Sequence, residues 1–250
     1  MISLEELEWY NMERYLKAEI IKLHSLSIWW LIIAGAILPG TIAYLTLFNQ
    51  DNVSWLSFTH MCLLTFNIQS LLTFSAFATY IWAREYEENT MEVVLCYPYP
   101  RFVMIFMKLV ILFFVILITG VMFFVATLIA GRMLFDSMMP MEIIGKLVVA
   151  LLNTGMMHFL LVPMYLCIAV ITKTSISGLV FGIVNMCICM ALSTTGFVQY
   201  IPQCIPYVMG DNLLGVKSMT VDNDLAVYYT LLIGIFIIFT LISKKLERKF

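Results

Sequence analysis

Residues able to do chemistry are sparse in this sequence, and their spacing argues against most kinds of it. Gly145-Lys146 is followed by Leu147, without the upstream glycine or the following hydroxyl that a phosphate-cradling loop needs. ATP hydrolysis by the chain itself is therefore not expected. His24, His60 and His158 are scattered, form no i,i+4 pair, and belong to no zinc-protease helix pattern. Cys62, Cys96, Cys167, Cys187, Cys189 and Cys204 include no C-x-x-C spacing and read as apolar, buried thiols. No metal or bound cofactor is expected on this chain.

The elements that must hold the remaining polar residues follow from composition. Hydrophobic residues make up 62% of the 250 and charged residues 12%, about half the share usual in a soluble domain; mean hydropathy is +0.96. Six uncharged runs dominate: 28 residues between Lys22 and Asp51, 32 between Asp51 and Arg84, and 23 between Lys108 and Arg132. The others are 26 between Lys146 and Lys173, 37 between Lys173 and Asp211, and 19 between Asp224 and Lys244. A helix needs ~20 apolar residues to cross ~30 Å of hydrocarbon. The runs are apolar on all sides, unlike the alternating ~10-residue strands of a membrane barrel. The expected fold is an all-α polytopic membrane protein, with six spans near 26–48, 55–82, 103–131, 143–171, 175–198 and 226–243.

Threading follows from basic residues. With both termini on one side, that side holds Arg14, Lys17, Lys22, Arg84, Arg101, Lys108, Lys173, Lys244, Lys245, Arg248 and Lys249. The other side holds only Arg132, Lys146 and Lys217, so the termini are expected in the cytoplasm and the chain in the cell membrane. Glu5, Glu6, Glu8, Glu13 and Glu19 are unsuited to a signal peptide. Residues 3–24 place Trp9, Met12, Leu16, Ile20 and Leu23 at helical spacing, which predicts an amphipathic helix at the membrane interface. The long run at 174–210 exceeds one span, and Gly196, Pro202, Pro206 and Gly210 interrupt it. A segment over 199–210 dipping back into the outer leaflet is expected, held where protein or water satisfies its backbone.

Polar residues inside the spans are few, and lipid offers them no partners. In the second span His60, Asn67 and Ser70 stand out; in the fifth, Asn185, Cys189 and Ser193 follow an i, i+4, i+8 line. They are the candidate lining of a translocation path; helix-to-helix hydrogen bonding is the alternative. Ionisable groups deep in the spans are too few for an ion-coupled pump, and no basic patch suits nucleic acid.

After the second span comes Arg84-Glu85-Tyr86-Glu87-Glu88-Asn89-Thr90-Met91-Glu92-Val93-Val94-Leu95-Cys96-Tyr97-Pro98-Tyr99-Pro100-Arg101, then Lys108 at the start of the next span. A short charged cytoplasmic helix is expected over 84–95, reaching at most 97 before Pro98, with Met91, Val94 and Leu95 as its apolar edge. Glu85, Glu88 and Glu92 would orient it against a basic partner, with Arg84 at its head. An ordinary solvated loop is the alternative on these residues alone. Glu87-Glu88 also resembles the paired glutamates of intramembrane metalloproteases, but Glu92 stands where such enzymes carry arginine.

The segment resembles the first cytoplasmic loop of type-2 ABC transporter permeases, E-x-E-x-G-T-(L/M)-E-x-L-L-(S)-x-P-x-x-R followed by lysine. Glu85, Glu87, Thr90, Met91, Glu92, Leu95, Pro98, Arg101 and Lys108 match; Asn89 replaces glycine and can adopt the same left-handed conformation. The resemblance implies a single permease domain over 1–250, docked through this coupling helix to a separate ABC ATPase, two copies per transporter, which would carry the ATP and magnesium. It also implies a second permease, identical or homologous, and membrane lipid as the remaining partner. Small size without a large outer domain is similar to permeases of lantibiotic immunity and bacitracin resistance, so the expected substrate is an antimicrobial peptide moved outward. Lipid, polysaccharide or drug export is the alternative within transport; an intramembrane enzyme or a membrane scaffold is the alternative outside it.

Overall fold

The computed structural model describes residues 17, 21, 29–50, 52–91, 101–216 and 225–247. Runs of apolar, strongly helix-compatible residues form seven α-helices among them: α1 Trp29–Leu47, α2 Trp55–Glu87, α3 Arg101–Leu134, α4 Met141–Thr172, α5 Ile176–Leu192, α6 Ile205–Leu214 and α7 Leu225–Glu247. Two 3-10 turns, Gly196–Tyr200 and Pro202–Cys204, lead into α6. No strand occurs among the described residues. Five of the helices are long and apolar enough to cross a membrane, and the 17-residue α5 is a shorter apolar helix. This is an all-α polytopic membrane protein. The expected interfacial helix over 3–24 lies outside the described residues, Lys17 and Ile21 apart.

Several helices outrun the expected spans because a helix need not stop where hydrocarbon does. The second span continues five residues beyond 82 to Glu87, and the last reaches Glu247. Ser54 starts α2 as a true cap, its Oγ accepting the Ser57 N–H at 3.2 Å.

Burial separates a centre from a periphery. Two thirds of the apolar window of α2 and of α4 is buried (67% each), against 11% for α7. Helix α2 packs on α1, α4, α5 and α6, and α4 packs on α7 as well. Small residues allow the closest approach, as is usual where no hydrophobic effect drives helices together. Gly178 and Gly182 of α5 press on Thr79 and Ser75 of α2, and Ser75 Oγ donates to the Gly178 carbonyl at 2.9 Å. Across the α4–α7 contact, Tyr229 OH donates to Asn153 Oδ1 at 3.0 Å, and Cys167 Sγ lies 2.9 Å from Ser243 Oγ.

Helix α6 sits inside this frame. Pro206 in its first turn and Gly215 beyond its last residue (φ 80°) mark its ends. Ile205 through Asp211 are all buried, against α2 and α4. The segment expected at 199–210 is thus two turns followed by a helix that runs four residues further, to Leu214.

Candidate functional site

The Glu87 end of α2 departs from the sequence expectation. No single helix covers 84–95: Arg84, Glu85, Tyr86 and Glu87 form the last turn of α2, and Asn89 turns the chain with φ 54°. Two bonds close the turn, Thr90 N–H to Glu85 O (3.0 Å) and Asn89 N–H to Tyr86 O (3.2 Å). That is the Schellman arrangement, and asparagine is one of the few residues that enters the left-handed region readily. Met91 is half-buried. Glu92, Val94 and Leu95 lie outside the described residues.

Glu85 corrects a second expectation. It does not face outward toward a partner; its side chain is 7% exposed, and one carboxylate oxygen stands 2.8 Å from Lys108 Nζ of α3. The helical period puts it one turn beyond Ile81 on the inward face, and Lys108, itself fully buried, also donates to the Ile81 carbonyl at 3.2 Å. The same ammonium lies 4.5 Å from the centre of the Trp82 ring. Glu87, which the sequence reading did not single out as a site, accepts from Ser175 N–H (2.7 Å) and Ser175 Oγ (2.9 Å) at the start of α5. A carboxylate there also meets the positive end of the α5 dipole. Arg84 and Glu88 pair with each other at 2.6 Å along the helix, both partly solvent-exposed. The end of α2 is thereby stitched to α3 and to α5 by charged contacts. A lone lysine at the head of a long apolar run was the available signal for the first stitch; nothing local signalled the second.

The six candidate path residues take different places. His60 Nε2 stands 3.1 Å from Asp211 Oδ1 of α6. Asn67, buried, lies against Gly210 of α6, where an added Cβ would come within 2.6 Å of its Nδ2. Cys189 packs with Cys204, Tyr207 and Val208, so the α5 line also meets the turn before α6 and α6 itself, whereas Ser193 Oγ donates to the Met190 carbonyl of its own helix at 2.8 Å. Asn185 also donates to its own helix, Nδ2 to Phe181 O at 2.8 Å. Ser70 is buried on the same stripe of α2 as Asn67. Helix α6 therefore covers the polar stripe of α2 from His60 to Asn67, while α5 packs directly on α2 further along. Asp211 was missed as a site; its signal was being the first charge after the 37-residue uncharged run.

On the other side of Phe66 and Phe74, between α2, α3 and α4, lies an apolar cavity of about 310 Å³. Phe113, Val121, Phe124 and Leu151 line it, and Gly120 and Gly155 leave it its width.

A bundle of apolar helices, five of them long enough to cross a membrane, defines a multi-pass membrane protein. Residues 15–189 match the family described as ABC-2 family transporter protein, and the chain belongs to that family. It is a membrane subunit of an ABC transporter, a family of transport subunits without an ATPase domain of their own that work with a partner ATPase. No curated protein sequence matches the chain. The family match ends within α5, so the two 3-10 turns, α6 and α7 lie beyond it.

Proposed function

We propose that this chain is one permease half of an ATP-driven exporter in the cell membrane, with its termini in the cytoplasm. It pairs with a second permease, identical or homologous, and with two copies of a separate ATPase that binds ATP and magnesium. The observation that carries the reading is the stitching of the α2 end: Glu85 to Lys108 and Glu87 to Ser175 tie the start of the family-like loop to two other helices. A push on the segment after Asn89 is then felt by α3 and α5 together. The ATPase docks on Met91, Val94 and Leu95, because apolar burial at ~25 cal/mol per Å² outweighs exposed ion pairs.

The substrate is an amphipathic or hydrophobic compound, an antimicrobial peptide foremost. The juxtaposition of a polar stripe on α2 with an apolar cavity of about 310 Å³ supports a molecule having both characters. Lipid, polysaccharide and drug molecules are the competing cargoes. The test is Leu95→Asp, expressed together with the partner ATPase. The variant is expected to insert normally but to lose ATPase co-purification and the host's survival advantage under peptide antibiotics, since it buries an unpaired carboxylate. Wild-type co-purification would remove this segment as the coupling element. Survival unchanged by deleting the whole permease, across a panel of peptide antibiotics, would remove the peptide reading alone.

A further inference from the structure

Most polar side chains within the bundle satisfy themselves on their own helix. Thr59, Thr65, Thr119 and Thr154 donate to the carbonyl one turn back. Asn153 and Asn185 do the same through their amides, each at 2.8 Å. Four side chains where α2, α4 and α6 meet do otherwise. Neither amide atom of Asn67, nor the Ser70 hydroxyl, nor either ring nitrogen of His158, nor the Tyr165 hydroxyl has a protein partner. All four residues are 2% exposed or less.

These groups are aligned. Asn67, Ser70 and Phe74 form one stripe of α2, and Phe74 stands edge-on to His158 with ring centroids 5.3 Å apart. His158 and Tyr165, seven residues apart, share a face of α4, and Asn67 faces Gly210 of α6. Toward the Trp55 end the stripe continues to His60, whose side chain is 20% exposed beside Asp211. The line therefore starts at a partly exposed side chain and runs about 20 Å along α2 to the level of His158.

Lipid cannot supply hydrogen bonds to such groups. Left dry, six orphaned atoms would together cost an amount comparable with the whole stability of a domain. We propose that water partners them: a chain of bound water held between α2, α4 and α6, entering beside His60 and ending at His158 and Tyr165. The chemistry of the line fits water better than an ion. Amide, hydroxyl, imidazole and phenol offer donors and acceptors in alternation, as a bound water with two to four partners requires. No carboxylate lies on it beyond Asp211 at its mouth. The inference concerns the interior of the chain and stands whatever the transported compound is.

X-ray radiolytic footprinting of the intact chain in lipid nanodiscs tests it, because radicals form from water in place and label only what that water touches. His158 and Tyr165 are expected to gain oxygen severalfold faster than Met104 and Met107, which are 6% and 5% exposed on α3 and chemically the easier to oxidise. Asn67→Leu is expected to slow labelling of His158 and to leave that of Met104 unchanged. Labelling of His158 and Tyr165 no faster than that of the two methionines would overturn the proposal. So would an Asn67→Leu variant that melts at a higher temperature with His158 labelled as in the parent, the signature of a dry seam relieved of an orphaned amide.

Discussion

Near its last turn α2 sets Glu85 2.8 Å from Lys108 and Glu87 2.7 Å from the Ser175 N–H, both carboxylates met by a neighbouring helix. About three to five turns earlier, between Asn67 and Phe74, the same helix buries an amide and a hydroxyl that no side chain or carbonyl meets. Both regions are polar, and Glu85 is buried as Asn67 and Ser70 are, while Glu87 is exposed. The first is built from side chains that meet hydrogen-bonding partners on α3 and α5, the second from an amide that packs against Gly210 of α6 and a hydroxyl beside it, neither with a protein partner. Partner chemistry decides the outcome: a charged group that meets a partner joins two helices, whereas a polar group set against an apolar neighbour is left to a small molecule such as the water proposed above.

The contrast can be broken first at Lys108. Lys108→Met leaves Glu85 buried and unmatched, which is expected to destabilise by about 3–5 kcal/mol. Thermal melting of the purified chain in detergent measures it, and the double variant Glu85→Leu with Lys108→Met should regain most of the loss. Next in size is Gly182→Val on α5. The added carbons would meet Ser75 and the Leu72 backbone, costing about 1–3 kcal/mol by the same assay. Glu87→Gln comes third: it keeps the geometry but weakens the cap on α5, by about 1 kcal/mol or less. Its larger expected effect is on substrate-stimulated ATP hydrolysis by the assembled transporter, which should fall while melting barely moves. Glu88→Ala is the smallest, about 0.3–0.5 kcal/mol, since its pair with Arg84 is solvent-exposed. A Glu88 effect larger than that of Lys108→Met would reverse the comparison.

Much of the fold was legible because charge is costly in hydrocarbon, so uncharged runs announce spans. Asn89 was read as able to take the left-handed conformation, yet a helix was expected to run through it to 95; the turn there, with φ 54°, ends α2 instead. What resisted reading depends on partners far away in sequence. Glu85 looks like any loop carboxylate until Lys108, 23 residues on, is seen opposite it. Glu87 has no local feature that points to Ser175, 88 residues away. The break after the fifth span was visible in Gly196, Pro202 and Pro206, but proline and glycine report where a helix stops, not where the next one goes. That α6 would lie against Asn67 and His60 followed only from the tertiary packing of Gly210 and Asp211.

Helix α2 has 33 residues and α3 has 34. Each is therefore a rod of about 50 Å in a hydrocarbon layer of about 30 Å. Rods so long either tilt or project, and their angle answers to bilayer thickness. A pivot of only 5° about one end carries the other through about 4 Å, close to the rise of one helical turn. In the transporter proposed above such a helix would serve as a lever, its throw following the length of the lipid chains around it.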